Sequence, residues 1–184
     1  MLVLRILRIF VPLLLVAAIV AGTVLVLTSR SDLRRSRHAV EDAWPPLRGA
    51  LDTRYKVLSV ADDAVKSVPG PLHQIVTDVE AAYASWRSLE QHDASVASEV
   101  AAANDLESLG RQLVAAARVA PRLSGNTAAL AEIGAYDKLA PPPSAAAFDA
   151  AVTRFERDRN RPAHSLAARV LGYDSIPALD LGPS

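Results

Sequence analysis

The 184-residue chain balances 20 basic against 20 acidic residues and contains no cysteine. That excludes disulfides, a thiolate nucleophile, a cysteine-ligated metal and a lipid-bearing cysteine. Past residue 29 the balance is 18 basic to 20 acidic, without the clustered basic face that nucleic acid requires. Aromatic residues make up 5% and alanine is abundant, which predicts a helical protein with a thin, closely packed core.

The first element is the run Ile9–Thr28, twenty uncharged residues between Arg8 and Arg30. At about 1.5 Å per residue it spans roughly 30 Å, one hydrocarbon thickness. A cleaved secretory signal has a shorter apolar region ending at small residues. Here Ala17, Ala18, Ala21 and Gly22 lie mid-run, and Val24–Leu27 continue the apolar stretch. Pro12 sits near the first turn, where proline costs a helix least. The run is therefore read as an uncleaved anchor. Arg5, Arg8 and the terminal amine precede it, and Arg30, Arg34, Arg35 and Arg37 follow it. The positive-inside rule places the following chain in the cytoplasm, by a margin of about one charge that leaves the extracytoplasmic side open.

From Val40 the pattern is heptad-like. Val40, Leu47, Ala61 and Val68 form one column, interrupted by Arg54; Trp44, Leu51, Leu58 and Val65 form the other. This is the seam of a helix packed on other helices. Pro45 and Pro46 predict a bend or a fresh start within it. Pro69-Gly70-Pro71 ends the element. Leu72, Ile75, Val76, Val79, Tyr83, Trp86 and Leu89 begin a second pattern. It continues through Val96, Val100, Leu106, Leu109, Leu113 and Val114. Either one helix of some 45 residues runs from 72 to 117, or "EQHDAS" at 90–95 splits it in two. "RVAPRLSGN" at 118–126 is a turn. Thr127 is an N-cap candidate for a short helix carrying Leu130, Ile133 and Leu139. "APPPS" at 140–144 breaks that helix, and Ser144 caps the next, with Phe148, Val152 and Phe155 on one face. Pro162 ends it. "HSLAARVLGY" at 164–173 is a last amphipathic helix stopped by Gly172. The tail "DSIPALDLGPS" is extended and partly loose. If 72–117 is one helix, Leu166, Val170, Leu171 and Tyr173 cover the tip near Val65–Leu72. If it is two, the tail lies at the membrane end, near His38. No stretch alternates with period two, so no sheet is expected.

Chemistry is hard to find. His38, His73, His92 and His164 are far apart, without an i, i+4 pair, and read as surface residues. Asp62 and Asp63 are adjacent, point in different directions on a helix, and read as a solvated face. No glycine-rich phosphate loop or nucleophile elbow is present. "RFERDRNR", Arg154 to Arg161, reads as a solvated helix face with local ion pairs, the alternative being a phosphate or lipid-headgroup site. Trp44 and Trp86 lie on apolar faces and read as core anchors.

Several pieces in order resemble the LemA family of bacterial membrane proteins. A span and a short basic stretch precede "AVEDAW…RYKVLSVADDAV" at 39–65, which includes Trp44 and Tyr55. Later comes "FDAAVTRFERDRNRPAHSLAARVLGYDSIPALDL" at 148–181. Phe148, Phe155, Arg159, Pro162, Leu166, Gly172 and Tyr173 match the family's two aromatic steps, its Arg, its Pro, and its apolar stretch closing on a Gly-aromatic pair. Asp149 and Glu156 stand where the family has asparagines. The resemblance implies a membrane-anchored bundle of long antiparallel helices and does not imply an enzyme.

The expected protein is all-α: a transmembrane anchor at 1–30, a helical bundle at 31–173 and an extended tail at 174–184. It is expected to be a single-pass cell-membrane protein serving as an interaction or scaffold module with an unidentified protein partner. The alternative is an envelope or stress-response accessory to a membrane protease or cell-wall enzyme. No catalytic residue, cofactor, metal, nucleic acid or small-molecule substrate is expected.

Overall fold

The computed structural model describes residues 29–66, 68, 72–92 and 94–182, the side chain of Ala163 excepted. Six α-helices follow in order: α1 Leu2–Val65, α2 Leu72–Gln91, α3 Val96–Arg118, α4 Thr127–Asp137, α5 Ser144–Arg159 and α6 Pro162–Leu171. A 3-10 turn, Pro121–Leu123, precedes α4. No strand occurs among the described residues. The apolar run 9–28 lies outside the described residues. Among those described, no helix is long and apolar enough to cross a membrane. The chain divides into two compact units. One is the chain up to Val40 with Thr153–Ser175; the other is Glu41–Val152 with Ile176–Ser184.

In the larger unit, the heptad columns form the packed seam of α1. Trp44, Leu47, Leu51, Leu58, Ala61 and Val65 are all buried. α1 runs unbroken through Pro45 and Pro46, so the alternative of a fresh start there does not occur. Both rings are exposed. The Glu41 and Asp42 carbonyls that lose a partner therefore lie on the wet side of the helix, where water can serve them.

Of the two alternatives for 72–117, the structure has two helices. Ser95 caps α3, its hydroxyl accepting from the Ser98 N–H at 3.2 Å. α2 runs antiparallel to α1: Lys66 pairs with Glu80, while Trp86 bonds Asp52. α3 then runs parallel to α1, since Arg48 meets Glu99 and Arg54 meets Glu107. Trp86 wedges between α1 aromatics, its ring 6.4 Å from Trp44 and 5.2 Å from Tyr55, both edge-on. Phe148, at the start of α5, stands 5.1 Å from Trp44. Each polar aromatic tip has a partner. Trp44 Nε1 donates to Glu99, Trp86 Nε1 to Asp52 Oδ1 at 2.8 Å, and Tyr55 OH to the Ala103 carbonyl at 3.2 Å. α4 begins one residue earlier than the Thr127 cap implied. Asn126 Oδ1 accepts from the Ala129 N–H at 3.1 Å. Gly110 lets α4 approach α3, because a Cβ there would stand 2.7 Å from the Tyr136 ring.

In the smaller unit, Leu33 of α1 packs on Ala167 and Ala168 of α6, joined by Leu171 and Tyr173. The placement of Leu171 and Tyr173 at a tip near Val65–Leu72 is therefore overturned. They pack at the level of Leu33, seven residues before Val40 on α1, as the two-helix alternative for 72–117 required. Pro162 does not merely end α5; it opens α6 at the first position, where its missing N–H costs nothing. Gly172 adopts φ +69°, and the Tyr173 N–H returns to the Ala168 carbonyl at 2.9 Å. This six-to-one bond closes a Schellman stop. Arg159 Nε donates to the Tyr173 carbonyl at 3.0 Å, tying α5 to the chain after α6. Phe155 is buried beneath the Arg37 guanidinium, 5.9 Å from its ring centre.

Trp86→Ala is expected to destabilise the chain by about 3–5 kcal/mol, read as a shift of the denaturant midpoint by circular dichroism. An unchanged midpoint would refute the wedge.

Candidate functional site

One polar network penetrates the larger unit between α1, α3 and α4. Arg54 occupies the column that the heptad pattern showed as interrupted. Its Nε donates to Glu107 Oε1 at 2.6 Å and its Nη2 to Glu107 Oε2 at 3.1 Å, a bidentate ion pair. Its Nη1 donates to the Leu139 carbonyl at 2.8 Å, and the guanidinium stacks 4.9 Å from the Tyr136 ring centre. Tyr136 OH completes the set by donating to Glu107 Oε2 at 3.3 Å. Burial works against the Arg54 charge, but the hydrogen bond and charge of Glu107 outweigh it and hold its pKa up. Tyr136 titrates well above a free phenol, mainly through burial and then through the Glu107 charge. It therefore stays protonated and serves as a donor.

A cavity of about 510 Å³ opens beside this network, lined among others by Arg54, Arg111, Arg118, Tyr136, Leu139 and Gly182. Lys138 also lines it, and two of its arginines are paired. Arg111 Nη2 lies 3.0 Å from Asp180 and Arg118 Nη2 lies 2.6 Å from Asp137. Among the described residues no serine or threonine lines the cavity.

Two further carboxyls are buried on α1 and α3. Glu99 takes the Trp44 indole and lies 2.9 Å from Arg48 Nη2, an ion pair by distance rather than an aligned hydrogen bond. Burial raises its pKa, while the Trp44 bond and Arg48 oppose the rise. Asp62 is 2% exposed, and its Oδ1 lacks a hydrogen-bond partner. This corrects the solvated-face reading of Asp62; only Asp63 is exposed. The reason is register, since Asp62 follows Ala61 on the seam and turns with it toward α2. Burial, then the charges of Glu80 and Asp63, push the Asp62 carboxyl up to about 7.

The residues singled out in the sequence divide between the two units. Trp44, Tyr55 and Phe148 are buried in the larger, where the two α1 aromatics flank Trp86 and Phe148 stands on Trp44. Phe155, Arg159, Pro162, Gly172 and Tyr173 shape the α5–α6 corner of the smaller. All of them build structure, and none of them lines the 510 Å³ cavity. His38, His73 and His92 are exposed. His164, expected at the surface, is buried at that corner, with Nδ1 3.1 Å from the Asp158 carbonyl. The arginine run carries local pairs, Arg159 with Glu156 and Arg161 with Asp158. Among the described residues no cluster of three or more histidine, aspartate or glutamate side chains gathers to hold a metal. Sequence reasoning missed Arg54, Glu107, Gly110 and Tyr136 as one network. The arginine breaking an apolar column was the available signal.

The Asp62 site generates a pH test. Its folded carboxyl keeps a proton that the unfolded chain, at the ordinary aspartate value near 3.8, has already lost. Raising pH from about 4 to about 7 therefore draws stability from the wild type through this group. Asp62→Asn cannot titrate, so it should gain on the wild type across that window and level off above it, in denaturant midpoints measured pH by pH. A difference independent of pH would contradict the burial of an ionisable Asp62.

No family model matches the chain, and searches of curated proteins and of solved structures find no match either.

Proposed function

We propose that the chain is a single-pass, membrane-anchored helical-bundle protein that acts as an interaction or scaffold module and has no catalytic site. The observation that carries this reading is a division of charge. The unit made of the chain up to Val40 with Thr153–Ser175 holds eleven basic and four acidic residues, a net +7. Glu41–Val152 with Ile176–Ser184 holds nine basic and sixteen acidic, a net −7. A neutral total therefore conceals a basic unit that contains the apolar run, and its residues after Thr28 hold nine basic and four acidic residues, a net +5.

Position supports the same reading. Leu33 follows Thr28 by five residues, about 8 Å along a helix. Headgroup layers add roughly 5–8 Å to each side of the hydrocarbon. With 9–28 in the bilayer, α6 on Leu33 falls at headgroup level. Its inner stripe, Ala167, Ala168 and Leu171, covers Leu33. Leu166 and Val170, four residues apart on another face, are 56% and 68% exposed. Arg169 lies between them in sequence and is also exposed. A short helix with an apolar stripe beside arginines suits an anionic lipid surface. The cytoplasmic leaflet supplies one, in keeping with the positive-inside bias of Arg30, Arg34, Arg35 and Arg37. The LemA-like order of residues supports the same class of protein. The tight Arg54–Glu107–Tyr136 network suits a rigid module that offers its polar faces to protein partners.

Two measurements test this. Protein from its native host should keep its first residues by intact mass and stay with membranes after a high-salt wash; a mass short by about the first 22 residues would end the anchor reading. An environment-sensitive dye on Leu166→Cys should brighten when the protein is in anionic bilayers, while the same dye on Val119→Cys should not. Equal responses would remove α6 from the lipid surface.

A further inference from the structure

Among the described residues after Tyr173 there is no helix or strand, yet 174–182 is not loose. Ile176 and Leu179 are buried. Asn104 reads the main chain between and beyond them. Its Nδ2 donates to the Ala178 carbonyl at 2.9 Å, and its Oδ1 accepts from the Asp180 N–H at 2.8 Å. A carbonyl and the N–H two residues later point to one side only in an extended chain, so the amide completes a strand-like pairing. Seven residues on, two turns along the same face of α3, Arg111 holds the end. Its Nη1 donates to the Asp180 carbonyl at 3.2 Å and its Nη2 to Asp180 Oδ2 at 3.0 Å. Asp180 Oδ1 in turn accepts from the Gly182 N–H at 3.0 Å. Pro177 biases Ile176 toward extended backbone before binding.

These are the parts of a peptide site: two apolar anchors three residues apart, a side-chain amide that reads main chain, and an arginine for a following acid. The occupant is held by Asn104 and Arg111 and joined to the preceding chain through Asp174 and Ser175, where the chain passes from one compact unit to the other. We infer that the Asn104–Arg111 face of α3 is an extended-peptide groove, closed in cis by the chain's own tail and able to take the same tail from a second copy of this chain. The second copy is the source because the sequence fitted to the groove is "SIPALDL". A shared membrane surface would also raise the local concentration of tails. Exchange of an identical segment across a short hinge is a low-cost route to a dimer. In the resting chain the tethered tail competes at an effective concentration in the millimolar range, so the closed form dominates until the tail is displaced.

The test uses full-length chains in detergent. A donor carries Asn104→Ala with Arg111→Ala, which disables the groove and leaves the tail. An acceptor carries Ile176→Asp with Leu179→Asp, which disables the tail and leaves the groove. Labelled donor should bind acceptor at least ten-fold more tightly than donor binds donor or acceptor binds acceptor. A synthetic peptide of residues 174–184 should bind the acceptor at least ten-fold more tightly than it binds the wild type. If the acceptor loses its helical spectrum, Asp180→Lys, which changes only an exposed end of the tail, replaces it in both arms. Peptide binding without donor–acceptor pairing would overturn the second copy as source. Peptide binding no better than to the wild type would overturn the groove.

Discussion

The arrangement of the larger unit depends on one buried ion pair, Arg54 with Glu107. Neither charge could be buried alone, because an unpaired charge in a low-dielectric interior costs several kcal/mol. Their bidentate bonds set α1 and α3 side by side and parallel, at one register. Parallel neighbours need a return leg between them, and α2 is that leg. The same guanidinium then reaches the Leu139 carbonyl and stacks on Tyr136. α4 and the chain after it are thereby drawn to the point that joins α1 to α3. Gly110, one turn beyond Glu107, gives Tyr136 the room to arrive.

Around this pair the aromatic residues supply what the alanines cannot. Alanine-rich helices approach closely but bury little area per residue. Trp44, Tyr55, Trp86 and Phe148 fill the space, and their polar tips fall on Glu99, Asp52 and the Ala103 carbonyl. The core is thus polar at its edges by design of its contacts. Each buried acid except Asp62 has a named donor. Asp62 stands near the α1–α2 end, where burial and then the charges of Glu80 and Asp63 push its carboxyl up to about 7.

Much of this was legible in the sequence where one rule decided. The seam from Trp44 to Val65 followed from spacing, the end of α5 from Pro162, and the stop of α6 from Gly172. The rest depended on contacts between distant residues. Residues 94–104 have high helix propensity on either side of any break, so local sequence permitted one helix or two; Glu107 meeting Arg54 is what requires two. Pro45 and Pro46 were weighed as interior prolines, yet their exposure lets the helix continue. The tail read as loose because its anchors, Asn104 and Arg111, are polar residues about seventy positions away. The proposed site at the membrane surface was hidden by a net charge of zero, which only the division into units separates into +7 and −7.

The most direct measurement is a double-mutant cycle on the detergent-solubilised full chain, with Arg54→Met, Glu107→Leu and the pair together, each followed by denaturant unfolding. With α1 and α3 aligned as described, each single change strands a buried charge and costs about 3–5 kcal/mol. The pair should then cost less than the sum of the singles by at least about 2 kcal/mol. Strictly additive costs would mean that the two residues do not meet. The parallel register of α1 and α3, and the helix order built on it, would then be wrong.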